Sequence, residues 1–147
     1  MIEIRPLCPA DKPDWLLLWQ GYLDFYKTML APEVTENTWA RLLSPTGGLE
    51  GLAGVDQAGT LVGFAHYLLH PGTWDTGHVC YLEDLFVAPD ARNLGAGHAL
   101  IEHLAMTGRA SGWQRVYWQT AQNNKTARRL YDKLATQTDW VRYEIEL

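Results

Sequence analysis

Apolar and polar residues alternate along this chain in short segments that differ in period. Segments in which every second residue is apolar predict β-strands, because successive side chains of a strand point to opposite faces. Strands are expected at Ile2–Leu7, Leu49–Val55, Thr60–Leu69, Arg115–Thr120 and Trp140–Leu147. The turn residues of Asp56–Gly59 predict a hairpin between the second and third of them. The pattern therefore predicts a sheet assembled largely from short strands.

Other segments repeat their apolar residues every three or four positions, which is the spacing of one face of a helix. Helices are expected at about Lys12–Leu30, at Thr35–Leu43, from His98 to between Gly108 and Gly112, and from Asn123 or Asn124 to about Leu134. Asp11 or a residue near it is predicted to cap the first helix, and Asn123 or Asn124 the last.

The remaining strand, Val79–Val87, carries two adjacent carboxylates in an otherwise apolar or aromatic run. A regular strand points Glu83 and Asp84 to opposite faces. A carboxylate that loses water without gaining a partner is costly, so acids in such a strand are solvated at an edge, hydrogen-bonded or used in chemistry. Both an edge strand with a wet face and a functional acid fit this pattern.

A turn rich in glycine separates this strand from the long helix. Pro89 ends the strand, and Arg92-Asn93-Leu94-Gly95-Ala96-Gly97 then leads into the helix. Glycine permits close approach of a ligand, and the unpaired N–H groups of a first helical turn attract phosphate. Glycines mark ordinary turns more often than phosphate sites, so the indication comes from the order of strand, short turn, glycines and helix.

The order of these elements predicts the fold class, an α/β (α+β) protein in one domain over residues 1–147. Arg115–Thr120 follows the strand Val79–Val87 through a single helix, so a right-handed crossover makes these two strands parallel. The strands before them are expected to be antiparallel. The sheet is thus mixed and mostly antiparallel, with a parallel central pair and helices at its flanks.

Composition excludes several classes of protein. The net charge of -5 argues against a general nucleic-acid binder, and no apolar run is long enough to cross a membrane. Two cysteines and five histidines stand at no spacing typical of a metal site or a disulfide framework, so no metal is expected. The start of the chain does not look like a signal peptide, so a cytoplasmic location is expected.

Arg92-x-x-Gly95-x-Gly97 after an acidic strand resembles the acetyl-CoA motif of the GCN5-related N-acetyltransferase (GNAT) superfamily. Tyr81–Val87 and Leu130-Tyr131 are similar to segments of the diamine and polyamine N-acetyltransferases. The ending from Leu130 to Tyr143 is similar to the histone-and-other-protein acetyltransferases. The resemblance implies transfer of acetyl from acetyl-CoA to a primary amine of a small amine, a polyamine or a basic peptide.

The same resemblance implies roles for individual residues. Glu83 would remove a proton from the amine, and Tyr131 would give one to the departing thiolate. An N–H near Leu85 would bind the acetyl oxygen. The residues expected to bind CoA are Leu85, Phe86, Val87, Arg92, Asn93, Leu94, Gly95, Ala96, Gly97, His98, Asn124 and Ala127.

Two matters stay open at this point. Tyr22, Asp24 and Tyr26 are weak candidates, together with Asp84, for the wall of an amine pocket, but aromatic residues at helical spacing are more often core residues. The chain could also be a non-catalytic acetyl-CoA sensor, although the presence of both Glu83 and Tyr131 favours an enzyme.

The predicted strand Trp140–Leu147 has no strand beside it in a single chain. This unpaired strand, with the resemblance, predicts a homodimer.

Overall fold

The computed structural model describes all 147 residues as five strands and four α-helices. The strands are β1 (Glu3–Pro6), β2 (Glu50–Val55), β3 (Leu61–Pro71), β4 (His78–Val87) and β5 (Arg115–Tyr117). The helices are α1 (Lys12–Phe25), α2 (Pro32–Leu43), α3 (Ala96–Ser111) and α4 (Lys125–Leu134). No helix is long and apolar enough to span a membrane.

The strands form one sheet in the order β1-β2-β3-β4-β5. Neighbouring strands are antiparallel except for β4 and β5, which run parallel. This confirms the predicted fold class, including the parallel pair joined through α3.

Alternation along the strands divides most of the interior into two main cores, one on each face of the sheet. On one face, Trp15 and Trp19 of α1 pack with Phe64 and Phe86 of the sheet. On the other face, Leu100 of α3 packs with residues of β3 and β4, and α4 lies at the edge of that core. Phe64 and its neighbour Ala65 belong to opposite cores, as period two requires.

Strand β4 contains a bulge beside Glu83. His66 pairs with Asp84, but the next residue of β3 pairs with Leu82, so Glu83 is an extra residue without a partner in register. Leu82 and Leu85 both belong to the core under α3, with two residues between them instead of one. The expectation that Glu83 and Asp84 face opposite sides is therefore wrong, because the bulge puts both on the α1 face.

Helix α1 is shorter than predicted. It ends at Phe25, and Lys27 then adopts a left-handed conformation at φ 52°. The N–H of Thr28 donates to the Leu23 carbonyl at 2.9 Å, which closes the helix end. The apolar spacing from Tyr26 to Met29 thus belongs to the connection between α1 and α2.

The predicted caps and the last strand also differ from the structure. Asp11 lies at the start of α1 but binds Arg5 instead of the helix, and Asn124 donates to Thr120 instead of capping α4. Trp140–Leu147 forms no strand, because no other segment pairs with it, and Tyr143 in its middle is 91% exposed.

Candidate active site

An opening between β4 and β5 marks the candidate site. The two strands pair only from Val79 to Tyr81 on β4, opposite Arg115 to Tyr117. Strand β4 continues to Val87, whereas the chain leaves the sheet after Tyr117. The sequence predicted this strand to extend to Thr120, so β5 is shorter than predicted. The end of β4 therefore has backbone groups facing an opening instead of a neighbouring strand.

The glycine-rich turn stands at the end of this opening. A short 3-10 segment, Pro89–Leu94, leads to Gly95, which precedes α3 with φ 80°. Only glycine adopts this conformation readily, and a Cβ built there would meet no atom within 4 Å. The first turn of α3 thus begins beside open space, with N–H groups that lack helical partners. This geometry fits an anionic group such as a pyrophosphate.

The residues expected to bind CoA differ in how far their side chains are exposed. Arg92, Asn93, Leu94 and His98 are exposed. Phe86 is different, because its ring is buried in the core under α1, so it can offer only its backbone. The remaining residues are buried or half-buried, apart from the exposed Gly95; they are Leu85, Val87, Ala96, Gly97, Asn124 and Ala127.

Helix α1 lies close to β4 beside the two carboxylates. A Cβ on Gly21 would come within 3.1 Å of the Phe86 ring, so glycine permits this approach. The next residue, Tyr22, donates its hydroxyl to Asp84 Oδ1 at 2.6 Å. Its neighbour one turn on, Tyr26, has its ring centroid 4.9 Å from that of Tyr22. Of the proposed pocket residues, Tyr22 therefore contacts Asp84 directly, and Tyr26 contacts Tyr22.

Asp84 receives a second hydrogen bond from within the sheet. His66 Nδ1 lies 2.9 Å from Asp84 Oδ2, and the indole N–H of Trp15 donates to His66 Nε2 at 3.0 Å. Both Trp15 and His66 are buried, with His66 only 1% exposed. Sequence reasoning found only that the five histidines stand at no metal-site spacing, and it missed this connection. Phe64 and His66 share a face at period two, but the register that sets His66 opposite Asp84 is not legible in the sequence.

Glu83 is exposed at the mouth of the site. Its pKa is raised above the ordinary value because protein atoms displace part of its water and the charge of Asp84 lies close. Arg142, in the segment after α4, acts in the opposite direction on the same pKa. A carboxyl with these properties holds a proton more readily than a free glutamate does.

Tyr131 of α4 approaches the same region from the other side of the opening. Burial, and to a smaller extent Tyr26, raise its pKa to about 12. Its ring packs against Trp118 with centroids 5.4 Å apart. The phenol therefore keeps its proton at neutral pH. Tyr26 contributes to the raised pKa of Tyr131, and its ring contacts that of Tyr22, so Tyr26 lies between α4 and the acids.

One candidate lies elsewhere. Asp24 is exposed and accepts a hydrogen bond from Gln20 Nε2 at 2.8 Å. Its position is two residues from both Tyr22 and Tyr26, which puts it on another side of the helix. The structure does not bring Asp24 to the site. The structure also contains no group of three histidine, cysteine or acidic side chains suited to a metal ion.

Comparison with known proteins gives a consistent result. Residues 15–135 match the model of the Acetyltransferase (GNAT) family. A D-amino-acid N-acetyltransferase of Saccharomyces cerevisiae is 40% identical over 144 residues, covering 97% of this chain and 89% of that protein. A thialysine N-epsilon-acetyltransferase of Mus musculus is 33% identical over 84 residues, covering 57% of this chain and 49% of that protein.

The fold is also found among solved structures. A ribosomal-protein-alanine N-acetyltransferase from Brucella melitensis superposes with a TM-score of 0.83, at 24% identity and full coverage of both chains. That likeness concerns the fold, and the family follows from the match over 15–135. The chain belongs to the Acetyltransferase (GNAT) family and is an acetyl-CoA-dependent acyltransferase.

Proposed function

We propose that this protein transfers the acetyl group of acetyl-CoA directly to a primary amine of a small molecule, within a single domain formed by residues 1–147. The observation that carries the proposal is the placement of Glu83 and Asp84 together on the α1 face, beside the opening between β4 and β5. Two adjacent carboxylates with aromatic rings around them suit an ammonium group, which is attracted by both.

The chain has a suitable place for CoA. The pyrophosphate would lie at Gly95 and the first turn of α3, with Arg92 supplying a positive charge. The pantetheine arm would follow the free edge of β4 from Leu85 to Val87, with Asn124 and Ala127 on the opposite side. Bound there, acetyl-CoA supplies the acetyl group as a reactive thioester. A backbone N–H near Leu85 would bind its carbonyl oxygen.

Glu83 is proposed as the general base. An amine with a pKa of about 10.4 is protonated at neutral pH and must lose a proton before it attacks. The raised pKa of Glu83 brings the acceptor closer to neutrality, where general bases work best. Tyr131, whose pKa of about 12 keeps it protonated, would give its proton to the departing thiolate.

A covalent acetyl-enzyme is not part of this proposal. Cys80 is fully buried, and burial raises the pKa of its thiol to about 12, which suppresses the nucleophilic thiolate. Ser44 and Ser111 are the chain's two serines, and neither stands in the sequence context of an activated nucleophile. Direct attack by the amine fits the residues present.

The relatives narrow the substrate class. The yeast relative acts on D-amino acids and the mouse relative on thialysine, according to their names. Both compounds carry a primary amine on an amino acid. We therefore favour small amino compounds over basic peptides. A cytoplasmic location is proposed as well, since Cys8 and Cys80 are free thiols. No role in binding nucleic acid or membranes is proposed.

Acetyl-CoA consumption tests the function directly. The assay compares D-amino acids, thialysine, diamines, polyamines, aminoglycosides and a basic peptide as acceptors. We expect turnover with small amino compounds, and absence of turnover with every acceptor would refute the proposal. A thermal shift tests the CoA site alone: acetyl-CoA at 100 times its dissociation constant stabilises by about 2.7 kcal/mol, while NAD and ATP do much less.

We also propose a homodimer in which Trp140–Leu147 pairs with a second copy. This segment exposes five large apolar side chains in eight residues: Trp140, Val141, Tyr143, Ile145 and Leu147. Strand β5 ends the sheet and has no neighbour on its outer side. An unpaired edge and an unpaired apolar segment on the same molecule favour association.

Sedimentation tests the dimer. The full chain should sediment as a dimer at micromolar concentration, and deletion of residues 140–147 should give a monomer or an aggregate. A full-length chain that sediments at about 17 kDa under the same conditions would contradict the association.

A further inference from the structure

The buried residues Trp15 and His66 take no part in the proposed reaction, yet they form a continuous hydrogen-bonded connection to Asp84. Trp15 Nε1 to His66 Nε2 measures 3.0 Å, and His66 Nδ1 to Asp84 Oδ2 measures 2.9 Å. All the buried side-chain nitrogen and oxygen atoms of the protein have partners. The connection therefore has a defined donor and acceptor at each step.

The direction of these hydrogen bonds fixes the form of the imidazole. An indole nitrogen only donates, so His66 Nε2 must accept and carries no proton. The proton of the neutral ring then resides on Nδ1 and is donated to Asp84. An imidazolium would direct an N–H at the N–H of Trp15. The hydrogen bond from Trp15 thus favours the neutral Nδ1–H form of the ring beside Asp84.

Asp84 is consequently held by neutral groups alone. Tyr22 donates to Oδ1 at 2.6 Å and His66 donates to Oδ2 at 2.9 Å. These bonds fix the orientation of the carboxylate but leave its negative charge uncompensated. A carboxylate has about four lone-pair positions, so it can accept further donors while keeping both bonds. The side chain is 15% exposed, which leaves it a route to ligands.

We propose that His66, locked by Trp15, is a positioning residue that keeps Asp84 oriented and uncompensated, and that Asp84 so held selects substrates by their ammonium group. The inference rests on the proposed function and adds a specificity determinant to it. The substrate amine would bind at Asp84 as a cation and pass its proton to the adjacent Glu83. Replacing the neutral imidazole by a cation or an apolar group would weaken that first step.

Kinetics of three variants test the inference. The acceptor is D-lysine or 1,4-diaminobutane, whichever the wild type acetylates faster. His66→Leu removes the donor to Asp84 and should raise the KM for the amine about tenfold or more, as expected for a hydrogen bond to a charged group. His66→Asn retains a donor near the Nδ1 position and should restore part of the loss. His78→Leu, at an exposed histidine that starts β4, serves as the control.

The KM for acetyl-CoA should stay within about twofold in all of them, because the connection does not reach the glycine turn. Equal amine KM values for wild type and folded His66→Leu would overturn the inference while leaving the proposed function intact. A wild type that acetylates no amine would overturn the proposed function and the inference together.

Nitrogen-15 NMR provides a readout that needs neither substrate nor turnover. The wild type should show His66 as the neutral Nδ1–H tautomer, and Trp15→Phe, which keeps an aromatic side chain but removes the indole N–H with the second ring, should lose that single form. Detection of the Nε2–H tautomer or an imidazolium in the wild type would overturn the inference. This measurement also decides the matter if His66→Leu fails to fold.

Discussion

Two aspartates at the α1 face are held in opposite ways. Asp11, 8% exposed, receives two hydrogen bonds of 2.8 Å from the Arg5 guanidinium, and the pKa of Asp11 is lowered to about 2 chiefly by this partner. Asp84 receives hydrogen bonds only from Tyr22 and His66. The first carboxylate has a cationic partner within the protein, whereas the second has none.

The difference separates a structural role from a functional one. A bidentate arginine uses the charge of Asp11 to join β1 to the start of α1, so little attraction is left for another cation. Neutral donors also fix the orientation of Asp84 but leave its field acting on its surroundings, including Glu83, whose pKa it helps to raise. An oriented acid with a free charge is what binding of an amine requires.

The largest expected effect concerns the site acids. Glu83→Gln should lower turnover by about 100-fold or more at pH values where Glu83 is ionised and the amine is still protonated, because only the deprotonated fraction of the amine then reacts. The loss of turnover should shrink as pH rises, since the deprotonated fraction of the amine grows about tenfold per pH unit below the amine pKa.

Tyr131→Phe should slow turnover while leaving acetyl-CoA binding intact. If Asp84→Asn proves far more damaging than Glu83→Gln in a folded protein, the base has been assigned to the wrong carboxylate.

The structural acid should respond in stability instead of activity. Arg5→Leu leaves the Asp11 carboxylate without its main partner and should cost about 1.5–3 kcal/mol of unfolding free energy. Each kcal/mol corresponds to a fall in Tm of about 2–4 °C at this chain length. Per folded molecule, the KM for the amine should not change. A large rise in that KM would remove the distinction between the two aspartates.

The pH dependence of this stability has a definite sign. The pKa of Asp11 is depressed in the folded state, to about 2 from 3.8. The contribution of the ion pair is therefore fully present above about pH 4 and is lost as pH falls toward 2. The wild type and Arg5→Leu should consequently converge in stability at acid pH, which denaturant titrations at several pH values would measure.

Much of the difference between Asp11 and Asp84 could not be predicted from the sequence. The glycine turn, the parallel pair joined through α3 and the presence of two acids in β4 were predicted, because residue types and short spacings along the chain indicate each of them. The common side of Glu83 and Asp84 was not, because it depends on a bulge that only strand pairing defines. The role of His66 depends on the same register, so its sequence position resembled that of any core histidine.

The predicted ends of helices and strands were wrong for a related reason. Apolar spacing continued past Phe25 and through Trp140–Leu147, but such spacing reports which residues prefer burial and does not supply a partner. Asp11 has the residue type of a helix cap, and a guanidinium brought from β1 competes successfully for it. In each case a contact distant in sequence decided the outcome.

A smaller effect should follow from moving α1 away from β4. A Cβ at Gly21 would lie 3.1 Å from the Phe86 ring, tighter than ordinary contact. Gly21→Ala should displace the helix by a few tenths of an ångström and lengthen the bond from Tyr22 to Asp84, which raises the amine KM several-fold. Gly59→Ala is the contrasting variant, since that residue has φ 84° in the hairpin and should alter stability without altering the KM. An unchanged KM in Gly21→Ala would show that the bond tolerates the shift.

The smallest effect is a pair of opposite shifts in the pKa of Glu83, which carbon-13 NMR of its carboxyl can follow. Loss of water and the charge of Asp84 raise this pKa, while Arg142 lowers it. Asp84→Asn should therefore lower the pKa of Glu83 and Arg142→Gln should raise it, with the desolvation effect present in both.

Because the folded pKa of Glu83 is raised, the proton of Glu83 stabilises the fold at acid pH, and that contribution is lost as pH rises through the unfolded and then the folded pKa. Glu83→Gln should thus be slightly more stable than wild type at neutral pH, whereas Asp11→Asn should be less stable. If the Glu83 pKa shifted in the same direction in Asp84→Asn and in Arg142→Gln, nearby charges would not control that pKa. The proposed uncompensated charge of Asp84 would then be contradicted.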